Sequence, residues 1–189
     1  MLPPVDKLKQ KQAFKNNDTT HLVKYYIYPM NQQHGQKSYS VKEATIKLMQ
    51  YCAYRDRSQK EVEEKLKEMR MIPEACEQIT IKLMQEDFLN EERFARSFAR
   101  GKFRMKKWGK IKITQELKFR EISTPLIKIA LSEIDEKAYY QTLEKIAEKK
   151  LVLIKETDPF KKKKKLLDFL LRKGYESNLV FEVTNVLLP

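Results

Sequence analysis

The sequence predicts an all-α protein built as three tandem three-helix repeats stacked into a curved, elongated array. Three observations carry that reading. Only 4 glycines and 7 prolines occur in 189 residues, too few for the many turns of an all-β fold. From residue 40 onward, helical apolar periodicity recurs with repeated helix-start signals. The apolar positions of that region also repeat when the chain is slid along itself.

The elements follow in order. Ser40-Val41-Lys42-Glu43 and Ser58-Gln59-Lys60-Glu61 both match the capping box, in which a serine and a glutamate satisfy free amides at a helix N-terminus. Asn90, Asp135 and Ser177 are further N-cap candidates, while Pro73, Pro125 and Pro159 suit first-turn positions. The spacing predicts helices over 40–54, 58–70, 73–86, 90–107, 110–120, 123–134, 136–156, 159–173 and 177–188.

An offset of 51 carries Val62, Leu66, Met71, Ala75, Cys76, Ile79 and Leu83 onto Ile113, Leu117, Ile122, Leu126, Ile127, Ala130 and Ile134. A further offset of 53 carries those onto Leu166, Leu170, Tyr175, Leu179, Val180, Val183 and Leu187. Every position stays apolar through all three copies. The predicted division is therefore an extension over 1–39 and units over 40–88, 90–134 and 135–188, whose apolar faces are buried by neighbouring units. Within the extension, Leu22 to Tyr28 is an apolar patch that suits a short strand or a docking segment.

Composition bounds the function. Lysine and arginine total 39 against 26 acids, a formal net charge of +13, which points to a polyanion or an acidic partner surface. Gly35, Gly101, Gly109 and Gly174 stand far apart, so no glycine-rich phosphate loop or dinucleotide fingerprint is present. Cys52 and Cys76 lack the spacing of a metal site and read as buried free thiols. Both histidines, His21 and His34, lie in the extension, and acid pairs such as Glu63-Glu64 and Glu91-Glu92 point to different helix faces. The expectation is a protein without catalysis, metal or cofactor. With no signal-like or membrane-spanning segment in view, a cytoplasmic monomer is expected.

Charge is concentrated in the middle. Residues 91–134 carry 12 basic and 5 acidic side chains, whereas 40–90 carry 9 and 10. Between Arg93 and Gln115 stand Arg93, Arg96, Arg100, Lys102, Arg104, Lys106, Lys107, Lys110 and Lys112, with no acid among them. On a helix, Arg93, Arg96, Arg100, Arg104 and Lys107 share one sector, and Phe94, Phe98, Gly101 and Met105 another. Guanidinium forks suit phosphate or carboxylate, and the stripe lacks the alternating signs of an ordinary solvated face. A plain basic face is the alternative. Trp108, the only tryptophan, follows at a helix junction, where it suits stacking on a base as well as wedging between helices. Lys161, Lys162, Lys163, Lys164 and Lys165 open the helix that leads to Leu166. They oppose the helix dipole by roughly 0.3–1 kcal/mol each, so either anion attraction or simple solvation accounts for them.

Several runs resemble the RecX family of recombinase regulators. Tyr51-Cys52-Ala53-Tyr54-Arg55-Asp56-Arg57-Ser58 with Glu61-Val62 and Lys65-Leu66 resembles that family's first unit. Asp87-Phe88-Leu89-Asn90-Glu91-Glu92-Arg93-Phe94-Ala95 looks like its junction into the second, and Lys107-Trp108-Gly109 with Ile113 and Glu116-Leu117 like the next helix. The similarity spans 40–188, with Arg70 standing where the family usually turns with glycine. The resemblance implies a regulator that lies in the groove of a RecA filament on single-stranded DNA and bridges neighbouring protomers. It would hinder filament extension, ATP turnover and strand exchange, within DNA repair, recombination and the SOS response. A stand-alone nucleic-acid-binding helical module is the rival reading.

Overall fold

The computed structural model describes residues 38–189. The expected extension, with its Leu22–Tyr28 patch and both histidines, lies outside the described residues except for Ser38 and Tyr39. Among the described residues there are nine α-helices: α1 (Val41–Tyr54), α2 (Gln59–Glu68), α3 (Pro73–Gln85), α4 (Glu91–Gly101), α5 (Lys110–Phe119), α6 (Thr124–Leu131), α7 (Glu136–Leu153), α8 (Pro159–Lys173) and α9 (Ser177–Leu187). In each set of three, the first helix packs against the third: α1 on α3, α4 on α6 and α7 on α9. No helix among the described residues is long and apolar enough to cross a membrane.

Local chemistry explains most starts. Ser40 and Ser58 each complete a capping box, with Glu43 and Glu61 reaching back to the serine amides at 3.0 and 3.1 Å. Asn90 accepts from the Arg93 amide at 3.0 Å and Asp135 from that of Ala138 at 2.8 Å. Ser177 departs from expectation: it is the first helical residue of α9, and Glu176 occupies the N-cap without a side-chain bond. Glu176 is instead held by Tyr139, whose hydroxyl donates to it at 2.6 Å. Asp158, which sequence reading passed over, caps α8 at Lys161.

The repeat register extends to the backbone. Arg70 (φ 57°), Glu121 (φ 63°) and Gly174 (φ 86°) are related by the same offsets of 51 and 53, and all three are left-handed. Behind each, the next amide bonds five residues back: Met71 to Leu66, Ile122 to Leu117 and Tyr175 to Leu170. Each second helix therefore ends in the same Schellman-type turn, and arginine at position 70 adopts the conformation that glycine favours. All three copies of the repeated apolar positions are buried or half-buried.

The helices enclose two cores. One holds Leu48, Val62, Leu66, Ile79 and Leu83 of α1–α3. The other runs without a break from Phe94 through Ile113, Leu117, Tyr139, Leu143, Leu166 and Leu170 to Val183. Between these cores the described ties are polar. Asp56 accepts from Arg93 Nε at 2.9 Å and from Ser97 Oγ at 2.7 Å, while Lys60 donates to the Phe119 carbonyl at 3.0 Å and pairs with Glu121 at 2.8 Å.

The second and third units meet backbone to backbone. Gly109 donates to the Lys173 carbonyl at 2.8 Å and Ile111 to that of Gly174 at 3.0 Å. A Cβ on Gly109 would stand 2.1 Å from the Gly174 oxygen, and one on Gly174 would stand 2.3 Å from the Lys112 Cβ. Neither glycine can gain a side chain without parting the two units. Of the two cysteines, Cys52 is buried, and burial pushes its thiol up to about 11; Cys76 is only half-buried, short of the full burial expected.

Two outcomes follow for stability. Gly109→Ala and Gly174→Ala each lower stability by about 3 kcal/mol or more in thermal or urea unfolding, through overpacking against backbone. Gly101→Ala, where an added Cβ meets nothing within 4 Å, raises it by about 0.5–1 kcal/mol. Iodoacetamide at about pH 8 labels Cys76 ahead of Cys52, with Cys52 modified only on unfolding; mass spectrometry of the digested protein checks the order.

Candidate functional site

The basic segment does not fold as one straight helix over 90–107. The α-helix stops at Gly101, and Lys102–Lys106 form a single π turn, closed by Lys107 in the left-handed region at φ 53°. The wider turn breaks the angular register assumed for residues 93–107. Met105, expected on the apolar face, is 80% exposed.

Those three arginines are engaged within the chain. Arg93 donates to Asp56 and to Asp87 Oδ2 at 2.7 Å, and also to the Asp87 carbonyl at 2.8 Å. Arg96 pairs with Glu92 and Glu133, and Arg100 reaches the second Glu133 oxygen at 3.1 Å. The stripe holds no acid between Arg93 and Gln115, yet it finds Glu92 just before it and Asp56, Asp87 and Glu133 in space, which corrects the expectation of a face without ion pairs. Hydrogen bonds from Arg100 and Arg96 hold the Glu133 carboxyl below its ordinary 4.5. Because that pKa is depressed by folding, the link is intact at neutral pH and is lost as pH falls through the lowered value.

Past Gly101 the pattern reverses. Arg104, Lys106 and Lys107 are exposed, and none has an acidic partner among the described residues. Trp108 is half-buried against the core of the second and third units, as a wedge between helices would be. Over its ring stand two ammonium groups, Lys102 Nζ at 5.0 Å and Lys112 Nζ at 4.7 Å from the centroid. Lys102 also stands 5.0 Å from the Phe98 ring, which Arg120 approaches at 4.8 Å. The result is a ladder of cations and aromatic rings across α4, the π turn and α5. Lys110 differs: its ammonium pairs with Glu136 at 2.5 Å and lies over Tyr139 at 4.7 Å.

The third unit holds this surface in place. Gly109 offers α5 no capping side chain, so the first amides of that helix depend on outside acceptors. Lys110 N–H donates to the Tyr139 hydroxyl at 2.9 Å, beside the two backbone bonds to Lys173 and Gly174. Tyr139 is 1% exposed, stacked between Phe103 and Tyr175, and burial with the Glu176 bond raises its hydroxyl pKa, so it stays protonated. Lys173 Nζ donates to the Lys106 carbonyl at 3.0 Å, pinning the π turn. Lys173, Tyr139 and Glu176 were missed in the sequence because they lie 29 to 67 residues from their partners.

The lysine run is split. Lys163 donates to the Leu188 carbonyl at 2.8 Å and Lys165 pairs with Glu156 at 2.9 Å. Lys161, Lys162 and Lys164 have no acidic side-chain partner among the described residues. They lie on a different unit from Trp108 and do not join its ladder. Among the described residues no group of three or more histidine, cysteine, aspartate or glutamate side chains stands ready to hold a metal.

Comparison with known proteins agrees with this architecture. Family models described as "RecX, second three-helix domain" and "RecX, third three-helix domain" match residues 90–131 and 137–184. The chain is 31% identical over 135 residues to the Regulatory protein RecX of Clostridium perfringens (strain 13 / Type A), covering 68% of this chain and 63% of that one. It thus spans less than two thirds of that relative's length. Against the Regulatory protein RecX of Prosthecochloris aestuarii, identity is 29% over 147 residues, covering 78% of this chain and 95% of the relative. The crystal structure of RecX from Lactobacillus salivarius superposes with a TM-score of 0.69 at 23% identity, covering 78% of this chain and 96% of that chain. The basic π turn and its tryptophan fall inside the match to the second domain, and the turn that pins them falls inside the match to the third. The chain belongs to the RecX family.

Proposed function

We propose that this chain is a regulatory protein that binds RecA filaments on single-stranded DNA and slows their ATP turnover and strand exchange, without catalysis of its own. It acts as a cytoplasmic monomer, with units over 40–88, 90–134 and 135–188 bridging neighbouring protomers in the filament groove. Family membership and the printed names of the relatives support the regulatory role. The observation that carries the working surface is the set of exposed cations without acidic partners among the described residues, Arg104, Lys106 and Lys107, beside Trp108 with Lys102 and Lys112. Arg93, Arg96 and Arg100 are bound up within the chain and serve the fold. Lys161, Lys162 and Lys164 form a second, weaker contact on the third unit.

The decisive assay is single-strand-dependent ATP hydrolysis by the cognate RecA with increasing amounts of this protein. Turnover falls at concentrations well below those at which the protein holds naked single strands. A stand-alone nucleic-acid module would instead bind naked DNA saturably and leave turnover unchanged at those concentrations.

Replacing Arg104, Lys106 and Lys107 together with glutamine leaves helix content intact and weakens filament binding. If the three meet phosphate, the slope of log affinity against log salt falls by about 2, at roughly 0.7 per contact on a single strand. Arg96→Gln with Arg100→Gln behaves oppositely. It frees Glu133 and lowers the urea midpoint only slightly, while the salt slope is unchanged.

A further inference from the structure

Resting on the reading of this surface as a nucleic-acid contact, we propose that Trp108 is a positioning residue. It holds Lys102 and Lys112 as a paired grip for the phosphodiester backbone, so that the surface takes a single strand without reading or stacking its bases.

Aromatic side chains on a single-strand surface ordinarily serve as platforms for bases. Here the platform is occupied. Trp108 is half-buried against the core, and two ammonium groups stand over its ring at 5.0 and 4.7 Å. Phe98, the neighbouring ring, carries Lys102 and Arg120 at 5.0 and 4.8 Å. A base stacking on either ring competes with cations that the ring's electron-rich face attracts.

The lysines themselves remain available. Neither forms an ion pair with an acid among the described residues, unlike Lys110 close by, which pairs with Glu136. Two like charges held near one ring repel each other, and an anionic phosphate between or across them relieves that repulsion. Their placement is fixed from the backbone. The Trp108 amide donates to the Lys102 carbonyl at 3.4 Å across the π turn, and Gly174 packs directly against the backbone of Lys112. Lys102 and Lys112, ten positions apart in sequence, are thereby brought to one indole. The grip asks for phosphates at backbone spacing and makes no demand on base identity.

The full chain is titrated with an oligodeoxythymidylate and with an abasic phosphodiester of the same length, at several salt concentrations. Affinities for the two agree within about twofold, and the emission of Trp108, the only tryptophan, is not strongly quenched by thymine. Lys102→Gln with Lys112→Gln lowers the salt slope by about 1.4, two contacts at roughly 0.7 each. Trp108→Leu keeps apolar volume against the core, and circular dichroism confirms its helix content. It weakens both ligands by about fivefold, and Trp108→Phe, which still offers a ring to the cations, restores most of the loss. Binding of the thymidylate more than about tenfold tighter than the abasic strand, with strong quenching, would mark Trp108 as a stacking platform and overturn the proposal. A salt slope unchanged in the double lysine variant would also overturn it. If that variant still slows RecA turnover as the parent does, the grip fails while the regulatory reading stands; if the parent itself leaves RecA turnover unaffected, the regulatory reading fails while the strand-binding comparison still judges the grip.

Discussion

Everything on the basic surface depends on the close approach of two backbones, Gly109 in the second unit and Gly174 in the third. The α5 helix begins at Gly109, which has no side chain to cap its free amides, and the third unit supplies the missing acceptors from Lys173, Gly174 and Tyr139. One glycine must lack a Cβ because the other's carbonyl stands there, and the second because Lys112 does. Hydrogen bonding and packing therefore impose the same constraint. The two units share one hydrophobic core, while the first unit keeps its own. A π turn followed by a left-handed lysine is a costly backbone, at roughly 1–2 kcal/mol for the left-handed residue alone. It persists where Lys173 ties its carbonyl and Phe103 stacks on Tyr139 beneath it.

The same Schellman-type turn occurs in all three units, yet only the third uses glycine. Left-handed φ alone does not require it, since Arg70 and Glu121 adopt that conformation at the equivalent positions. Glycine is forced where a second unit comes within contact of the turn, and Lys112 makes that approach only at residue 174. At position 121 the turn has a different neighbour. Glu121 pairs with Lys60 of the first unit, so a side chain at that position forms part of the join between units. The repeat supplies one backbone geometry, and the side chain placed on it adapts each copy to what lies beside it.

Periodicity made the helices, the capping boxes and the repeat register readable, because each is set by residues within a few positions of one another. Arg93 shows where such reading stops. Its partners Asp87 and Asp56 lie 6 and 37 positions away, and Glu133 lies 37 and 33 from Arg96 and Arg100. A stripe with no acid between its own members is thus a set of internal ties, only one of which, Arg96 to Glu92, is local. The π turn escaped for a different reason: Lys102-Phe103-Arg104-Met105-Lys106 is compatible with an ordinary helix, and nothing in its local sequence marks the widening. Met105 is exposed on that widened turn. Trp108 was legible as a wedge, while its two lysines come together only once the turn is formed.

Charge of one sign therefore has two roles along eleven helical residues and the turn that follows. Before Gly101, each arginine reaches an acid across a junction, and the guanidinium fork suits this because it binds two acceptors at once. After Gly101, the cations stand on a turn tied to the third unit through the Lys106 carbonyl, and no acid among the described residues reaches Arg104, Lys106 or Lys107. Folding neutralises the first group and leaves the second exposed. A net positive surface gathered on a pinned, strained turn loses little conformational freedom when an anion arrives. The rigidity that the glycine pair imposes on the fold thus also fixes the geometry of the surface proposed to meet a polyanion.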